Sequence, residues 1–314
     1  MPRSRRRRAR GEHPITATAL AQYEAELEAI VRSGLPEKMP DVLYHYTTWS
    51  GFQGILSSQQ FYFRAHHCTN DPAELTSVDD IMIDIAKDLL RTVAPPLRRP
   101  LVAFLRDLPG RGIGKVAKVY LACFSLARDK PSQWFSYADH GKGVCLGLKV
   151  LHHEEAPSSK LGSLPVVYDE DRSRSSVGEK FRRVIDCHDS FGRAYRKGYA
   201  RGEPAVWSAL MRIAAVASIG AKKPAWSSEE EWRTMVLDQG GEFAPLRRED
   251  GSEYIALRLR NPPLRFAFDE ILQGPRQELQ EAEALSAARR ILEEAGYPEA
   301  EVPCIRISTA DLGI

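Results

Sequence analysis

Val42-Leu43-Tyr44-His45-Tyr46 is a short alternation of large apolar and polar-tipped residues, the pattern of a half-buried strand. The segments next to it in the chain decide the fold class. Trp49 to Ser58 repeats apolar residues at helical spacing, with Phe52, Ile55 and Leu56 on one side, and Phe61-Tyr62-Phe63-Arg64 reads as a second strand. Upstream, Thr16 to Ser33 puts Leu20, Tyr23, Leu27, Ile30 and Val31 on one helical face and stops at Gly34-Leu35-Pro36. Downstream, helices are expected through Leu75–Val93, to about Leu108, and over Ser132–Ala138. Strands are expected at Val119–Ser125, Gly143–Val150 and Leu164–Tyr168. Residues 169–220 read as helical. Glu231–Leu237, Tyr254–Leu259 and Phe268–Leu272 read as strands, Gln277–Ala295 as an amphipathic helix, and Val302–Ile307 as a last strand. Strands and helices interleave without a βαβ rhythm. The expected class is α+β: a mixed or antiparallel, curved sheet with surrounding helices. The expected organisation is a basic disordered arm over 1–13 and one α+β domain over 14–314, with helical insertions near 75–108 and 169–220.

Composition narrows the classes of function. The chain has 314 residues, 43% hydrophobic and 27% charged, enough apolar area for a sizeable core. No window approaches the ~18 apolar residues of a membrane span, so no membrane partner is expected. The five cysteines, Cys68, Cys123, Cys145, Cys187 and Cys304, form no C-x-x-C pair. That argues against a disulfide framework or zinc site, and for a reducing, cytoplasmic setting. Net charge is +2, yet six of the 44 basic residues are arginines within Arg3–Arg10. Without them 38 basic residues face 42 acidic ones, so a mildly acidic body carries a basic arm that can neutralise phosphates of RNA or DNA.

Four polar segments fall at or beyond strand ends. They are His45-Tyr46-Thr47, Asn70-Asp71-Pro72-Ala73-Glu74, Ser125 with Trp134-Phe135-Ser136-Tyr137, and Glu229-Glu230-Glu231-Trp232-Arg233. Singly each has an ordinary explanation. A histidine in an apolar strand is most often a hydrogen-bonded core residue, Asn-Asp-Pro starts helices, and an acidic run is usually a helix N-terminus or a solvated face. Pro109-Gly110-Arg111-Gly112-Ile113-Gly114 comes after no strand and leads to no Gly-Lys-Ser/Thr, so it is a connection and not a phosphate loop. His66-His67-Cys68 has no second pair at zinc spacing.

In order, the chain reads Tyr44-His45-Tyr46-Thr47, Gly54-Ile55-Leu56, Asn70-Asp71-Pro72-Ala73-Glu74, Cys123-Phe124-Ser125, Trp134-Phe135-Ser136-Tyr137-Ala138-Asp139, Gly143-Val144, Val166-Val167-Tyr168 and Trp226 through Arg233. These blocks, spread from about 42 to 310, resemble an uncharacterised bacterial family of the domain-of-unknown-function type. A more distant resemblance is to the ADP-ribosyltransferase superfamily, in the order His-Tyr-Thr, a strand ending in serine, an aromatic, then Glu-x-Glu. That resemblance implies an ADP-ribosyltransferase-like fold with NAD as substrate. It implies His45 as the ribose holder with Tyr46 and Thr47 beside it, Ser125 as the strand-two serine, and Tyr137 or Trp134 stacked on nicotinamide. Arg64 would meet the pyrophosphate. Glu231 would be the catalytic acid with Glu229 its partner, although Arg233 is close enough to neutralise it.

Such chemistry needs a carboxylate beside a developing oxocarbenium ion and an aromatic face for nicotinamide. The expected activity is thus NAD-dependent ADP-ribosyl transfer or NAD glycohydrolysis in a defence or toxin-like role. The acceptor would be a macromolecule, nucleic acid reached through the Arg3–Arg10 arm among the options, and an inhibitor protein could hold the activity in check. Two alternatives stand beside it: a non-enzymatic RNA- or protein-binding module, and a hydrolase or nuclease using His45, Asp71 and Glu74. The first reading, carried over with His45 as ribose holder and Glu231 as catalytic acid, requires His45 and Glu231 to face one cleft and fails if they lie on opposite faces.

Overall fold

The computed structural model describes residues 13–36, 38–68, 78–108, 118–152, 161–238, 241, 243–258, 264–276, 281–296 and 303–312. The arginine arm and the Asn70–Glu74 block lie outside them. The helices are α1 (Ala17–Arg32), α2 (Trp49–Ser58), α3 (Asp79–Thr92), α4 (Arg98–Asp107), α5 (Pro131–Tyr137), α6 (Glu170–Ala194), α7 (Gly198–Gly220) and α8 (Glu281–Glu294). The strands are β1 (Leu43–Thr47), β2 (Gln60–Ala65), β3 (Lys118–Ser125), β4 (Val144–His152), β5 (Leu161–Pro165), β6 (Glu231–Asp238), β7 (Leu246–Arg247), β8 (Glu253–Arg258), β9 (Leu264–Gln273) and β10 (Cys304–Ile307). They group into two compact units: α1, α3, α4, α6 and α7 make the first, and the strands with α2, α5 and α8 make the second.

In the helical unit, local signals set the ends. Thr16 Oγ1 accepts from Ala19 N–H at 3.1 Å and Asp169 Oδ1 from Arg172 N–H at 3.0 Å, each satisfying an orphan donor of a first turn. Tyr23, Leu27, Ile30 and Val31 of α1 pack with Phe181, Val184 and Ile185 of α6 and Val206, Leu210 and Ile213 of α7. Inside this core lies a fully buried histidine. His188 Nδ1 is 3.0 Å from Tyr23 Oη, whose hydroxyl also reaches Gly202 O at 3.4 Å, and its Nε2 has no partner among the described residues. Burial lowers the His188 pKa to about 4, partly opposed by Asp189. Folding therefore favours the neutral ring. Its contribution is whole above the unfolded value near 6.5 and is lost as pH falls from there toward 4, roughly 3 kcal/mol in all. Melting curves at pH 7.5 and 4.5 are expected to show a large acid loss that His188→Leu reduces; an equal loss in the variant would contradict it.

The second unit is an open mixed sheet in the order β10-β9-β4-β1-β3-β2-β8-β7, with β6 on β3 and β5 on β6. Among the described strand pairs, β10 and β9 run parallel and the others antiparallel. The α+β class and the mixed sheet agree with the sequence expectation. Three strands differ from it. β5 ends at Pro165, because Val166 and Val167, which read as strand, bond Glu231 and Lys222 on their way to α6. β9 begins earlier, at Leu264, and the two-residue β7 is too short to leave a pattern.

β3 is a fork. β6 lies along one edge of it from Lys118 to Ser125, so β1 and β2 share the other edge. β1 holds Ser125 and β2 holds Leu121 and Tyr120, so the strands part across Ala122 and Cys123. Alternation then sorts the side chains into two faces. One face carries Leu43, Phe61, Phe63, Phe124, Leu146 and Trp232 and packs on Phe52 and Leu56 of α2 and Leu292 of α8. The other carries Tyr44, Tyr46, Ser125, Glu231 and Arg233, with Trp134 and Ala138 of α5 against Tyr46.

Candidate functional site

The carboxylate face is built at the junction of β3, β6 and the turn before β6. Pro224–Glu229 forms a 3-10 turn and Glu230 takes a left-handed conformation with φ 45°, which swings the chain into β6. Ser125 Oγ ties this corner down: it donates to the Glu229 carbonyl at 2.8 Å and accepts from Ala127 N–H at 3.1 Å. Ser125 also pairs with Tyr44 across one neighbouring strand and Glu231 across the other, so these three form one row.

Glu229 and Glu231 are both buried, contrary to a solvated acidic run. Lys222 sits between them, its Nζ 2.6 Å from Glu229 Oε2 and 3.0 Å from Glu231 Oε2. Arg233 grips Glu231 with both prongs, Nε to Oε1 at 2.7 Å and Nη2 to Oε2 at 3.1 Å. Burial raises the Glu231 pKa, but Arg233 and Lys222 overcome it and hold the carboxyl near 2, ionised at any working pH. The Tyr168 hydroxyl accepts from Glu231 N–H at 2.8 Å; burial pushes this phenol up to about 12.

Tyr137, at the end of α5, donates its hydroxyl to Glu229 Oε1. Burial and the Glu229 carboxylate raise its pKa, so the phenol keeps its proton. The residue is still 37% exposed, so part of it can meet a ligand. Trp226, also exposed, lies with Lys222 Nζ 5.3 Å from its ring centre. Glu229 is thus a buried carboxylate that the partly exposed Tyr137 reaches, and Glu231 is closed in by Arg233 and Lys222.

The residues predicted from the sequence divide. Glu229, Glu231, Ser125 and Tyr137 come together. Tyr46 and Trp134 share that face but are buried core: their rings meet edge to face at 5.0 Å, Tyr46 Oη donates to Ala127 O at 2.9 Å, and Trp134 Nε1 donates to Asp129 Oδ1 at 2.6 Å. They position the 126–130 loop and offer no free ring to nicotinamide, which corrects their assignment as stacking or ribose contacts. Arg64 shares the face, in a row with Leu121 and Met235, four residues along β6 from Glu231, and its Nη1 lies 3.4 Å from Cys68 O.

His45 is on the opposite face, and the requirement that it share a cleft with Glu231 is not met. Its ring stands edge-on to Phe61 at 4.8 Å and near Phe124 at 6.0 Å. Its Nδ1 is 3.3 Å from the Cys123 carbonyl, which lies where β1 and β2 part. A carbonyl only accepts, so Nδ1 carries the hydrogen. Desolvation brings the His45 pKa down to about 4, against the pull of that bond, so the ring is neutral. His45 satisfies a backbone group at the fork. Thr47 alternates to the His45 side, its hydroxyl against Gly51 of α2.

Lys222 was not singled out by sequence, and Tyr44 only as part of the Tyr44–Thr47 block. Lys222 stands in Ala221-Lys222-Lys223-Pro224 with nothing to mark it as buried, and Tyr44 gains its place only through register with Ser125. Gly143 shows why glycine stands in the Gly-Val block: a Cβ there would lie 2.3 Å from the Thr47 carbonyl.

No curated protein and no solved structure matches the chain. The blocks before residue 133, Tyr44–Thr47 and Cys123–Ser125 among them, fall outside the family match that is found. The model of the family described as Protein of unknown function (DUF2971) matches residues 133–234, the stretch that holds Trp134–Asp139, Gly143-Val144, Val166–Tyr168 and Trp226–Arg233.

Proposed function

We propose that the carboxylate face cleaves the nicotinamide–ribose bond of NAD and passes the ADP-ribosyl group to water or a macromolecule. The observation that carries the reading is the Glu229 carboxylate, buried but bonded to the partly exposed Tyr137 and held by Lys222. In the reaction the C1′–N bond breaks and its electron pair goes to the pyridinium nitrogen, giving neutral nicotinamide. Positive charge develops on C1′ and the ring oxygen. A carboxylate held by fixed donors stabilises that charge without reorganising. Tyr137 offers a ring face to nicotinamide. The acceptor oxygen or nitrogen then bonds C1′ and releases its proton to solvent. The version expected from the resemblance, with His45 holding the ribose in one cleft with Glu231, fails because His45 packs on Phe61 and Phe124 on the other face. The proposed activity is a different one, which uses no histidine and rests on Glu229 and Tyr137, with Tyr44 in the row of Ser125 and Glu231.

One observation favours the second reading, a non-enzymatic binding module: Glu231 is fully compensated by Arg233 and Lys222, as a structural ion cluster would be. Incubating the intact protein with NAD and following free nicotinamide by chromatography separates the two. Nicotinamide rising in proportion to protein concentration is expected. NAD left intact at stoichiometric protein overturns NAD cleavage and favours the binding module.

A further inference from the structure

Farther along the carboxylate face, β2 and β8 present a row the chemistry above does not use. Alternation places Gln60, Tyr62 and Arg64 of β2 on this face, and register sets Arg258, Ala256 and Tyr254 of β8 opposite them. Four residues of strand span about 13 Å. Tyr62 is 42% exposed, and Arg258 and Arg248 are exposed. The Tyr62 and Tyr254 rings lie 4.7 Å apart, and the Arg248 guanidinium sits over both, 6.0 Å from one centre and 5.3 Å from the other. Arginines and tyrosines therefore interleave on an open sheet face. The strand carboxylate nearby, Glu253, alternates to the other side, where Tyr120 and Arg247 bond it. Asp250, in the turn after Arg248, is the acidic group within the field of Arg248 and Arg64.

We infer that this row is a binding platform for single-stranded nucleic acid. Bases stack on exposed aromatic rings and on guanidinium planes without regard to sequence, while arginines neutralise the phosphates between them. A duplex hides its base faces, so the platform selects single strands. The inference does not depend on NAD cleavage, and its test contains no NAD.

The test is fluorescence anisotropy of a labelled oligouridylate of about 12 nucleotides with the full chain at low salt. The wild-type protein is expected to bind it more tightly than a duplex of equal length. Tyr62→Ala should weaken binding about tenfold, and Tyr62→Phe, which keeps the ring, should restore it. Arg248→Gln should lower the slope of log affinity against log salt by about 0.7 for the phosphate it contacts. Unchanged binding in Tyr62→Ala and Arg248→Gln would assign retention to the Arg3–Arg10 arm and overturn the inference. So would equal affinity for the duplex, or no binding at all.

Discussion

Glu229→Gln is expected to lower nicotinamide release from NAD by about 10²–10³-fold, the usual cost of removing one preorganised electrostatic contact from a transition state. The isosteric amide oxygen can still accept from Tyr137, while its NH2 then faces Lys222, which keeps Glu231 as its partner. Some stability is lost but the fold should persist. What is lost is the negative charge that opposes the developing positive charge on the ribose. Because that charge appears only as the bond breaks, the loss should fall on kcat with little change in KM. Circular dichroism matching wild type would establish that the variant is folded. A Glu229→Gln protein that releases nicotinamide at the wild-type rate would remove Glu229 from the chemistry.

Arg233→Ala is expected to destabilise the sheet unit by about 3–5 kcal/mol, the range for stripping one partner from a buried ion pair. Arg233 is nearly fully buried and gives Glu231 both of its prongs, so the variant leaves Glu231 with Lys222 as its remaining counter-charge in a site closed to water. The pH dependence gives a second signature. Glu231 has a folded pKa near 2, below its unfolded value of about 4.3. Its contribution is present above that unfolded value and is lost as pH falls toward 2. In Arg233→Ala much of that acid-labile part should already be missing, so urea midpoints of the two proteins should converge below pH 4. Replacing both partners, Arg233→Met with Glu231→Leu, should recover most of the loss, since no unpaired charge remains. Equal stability of Arg233→Ala and wild type would show that the cluster is solvated.

Element types were largely legible in the sequence because strong periodicity and end signals agree: α2 falls on Trp49–Ser58 as read, and Thr16 and Asp169 cap the helices they precede. The site was legible in part. Glu-x-Glu and the serine ending a strand mark two residues that meet across β3 and β6, and spacing two apart on a strand guarantees that Arg233 shares the face of Glu231. What the sequence does not carry is which strand edge β1 uses. The same parity that puts Tyr44 beside Ser125 turns His45 away, so a one-residue difference in reading β1 moved the histidine from ligand to core. Tyr46 and Trp134 were misjudged for a related reason. Aromatic residues near a site can stack on a ligand or on each other, and only the position of α5 decides between them.

The most direct test compares two substitutions on opposite faces of one sheet by the same nicotinamide assay. His45→Asn keeps a donor for the Cys123 carbonyl and should release nicotinamide at close to the wild-type rate, while Glu229→Gln should be nearly inactive. Loss of release in a folded His45→Asn protein, with Glu229→Gln unaffected, would place the chemistry on the other face and contradict the account.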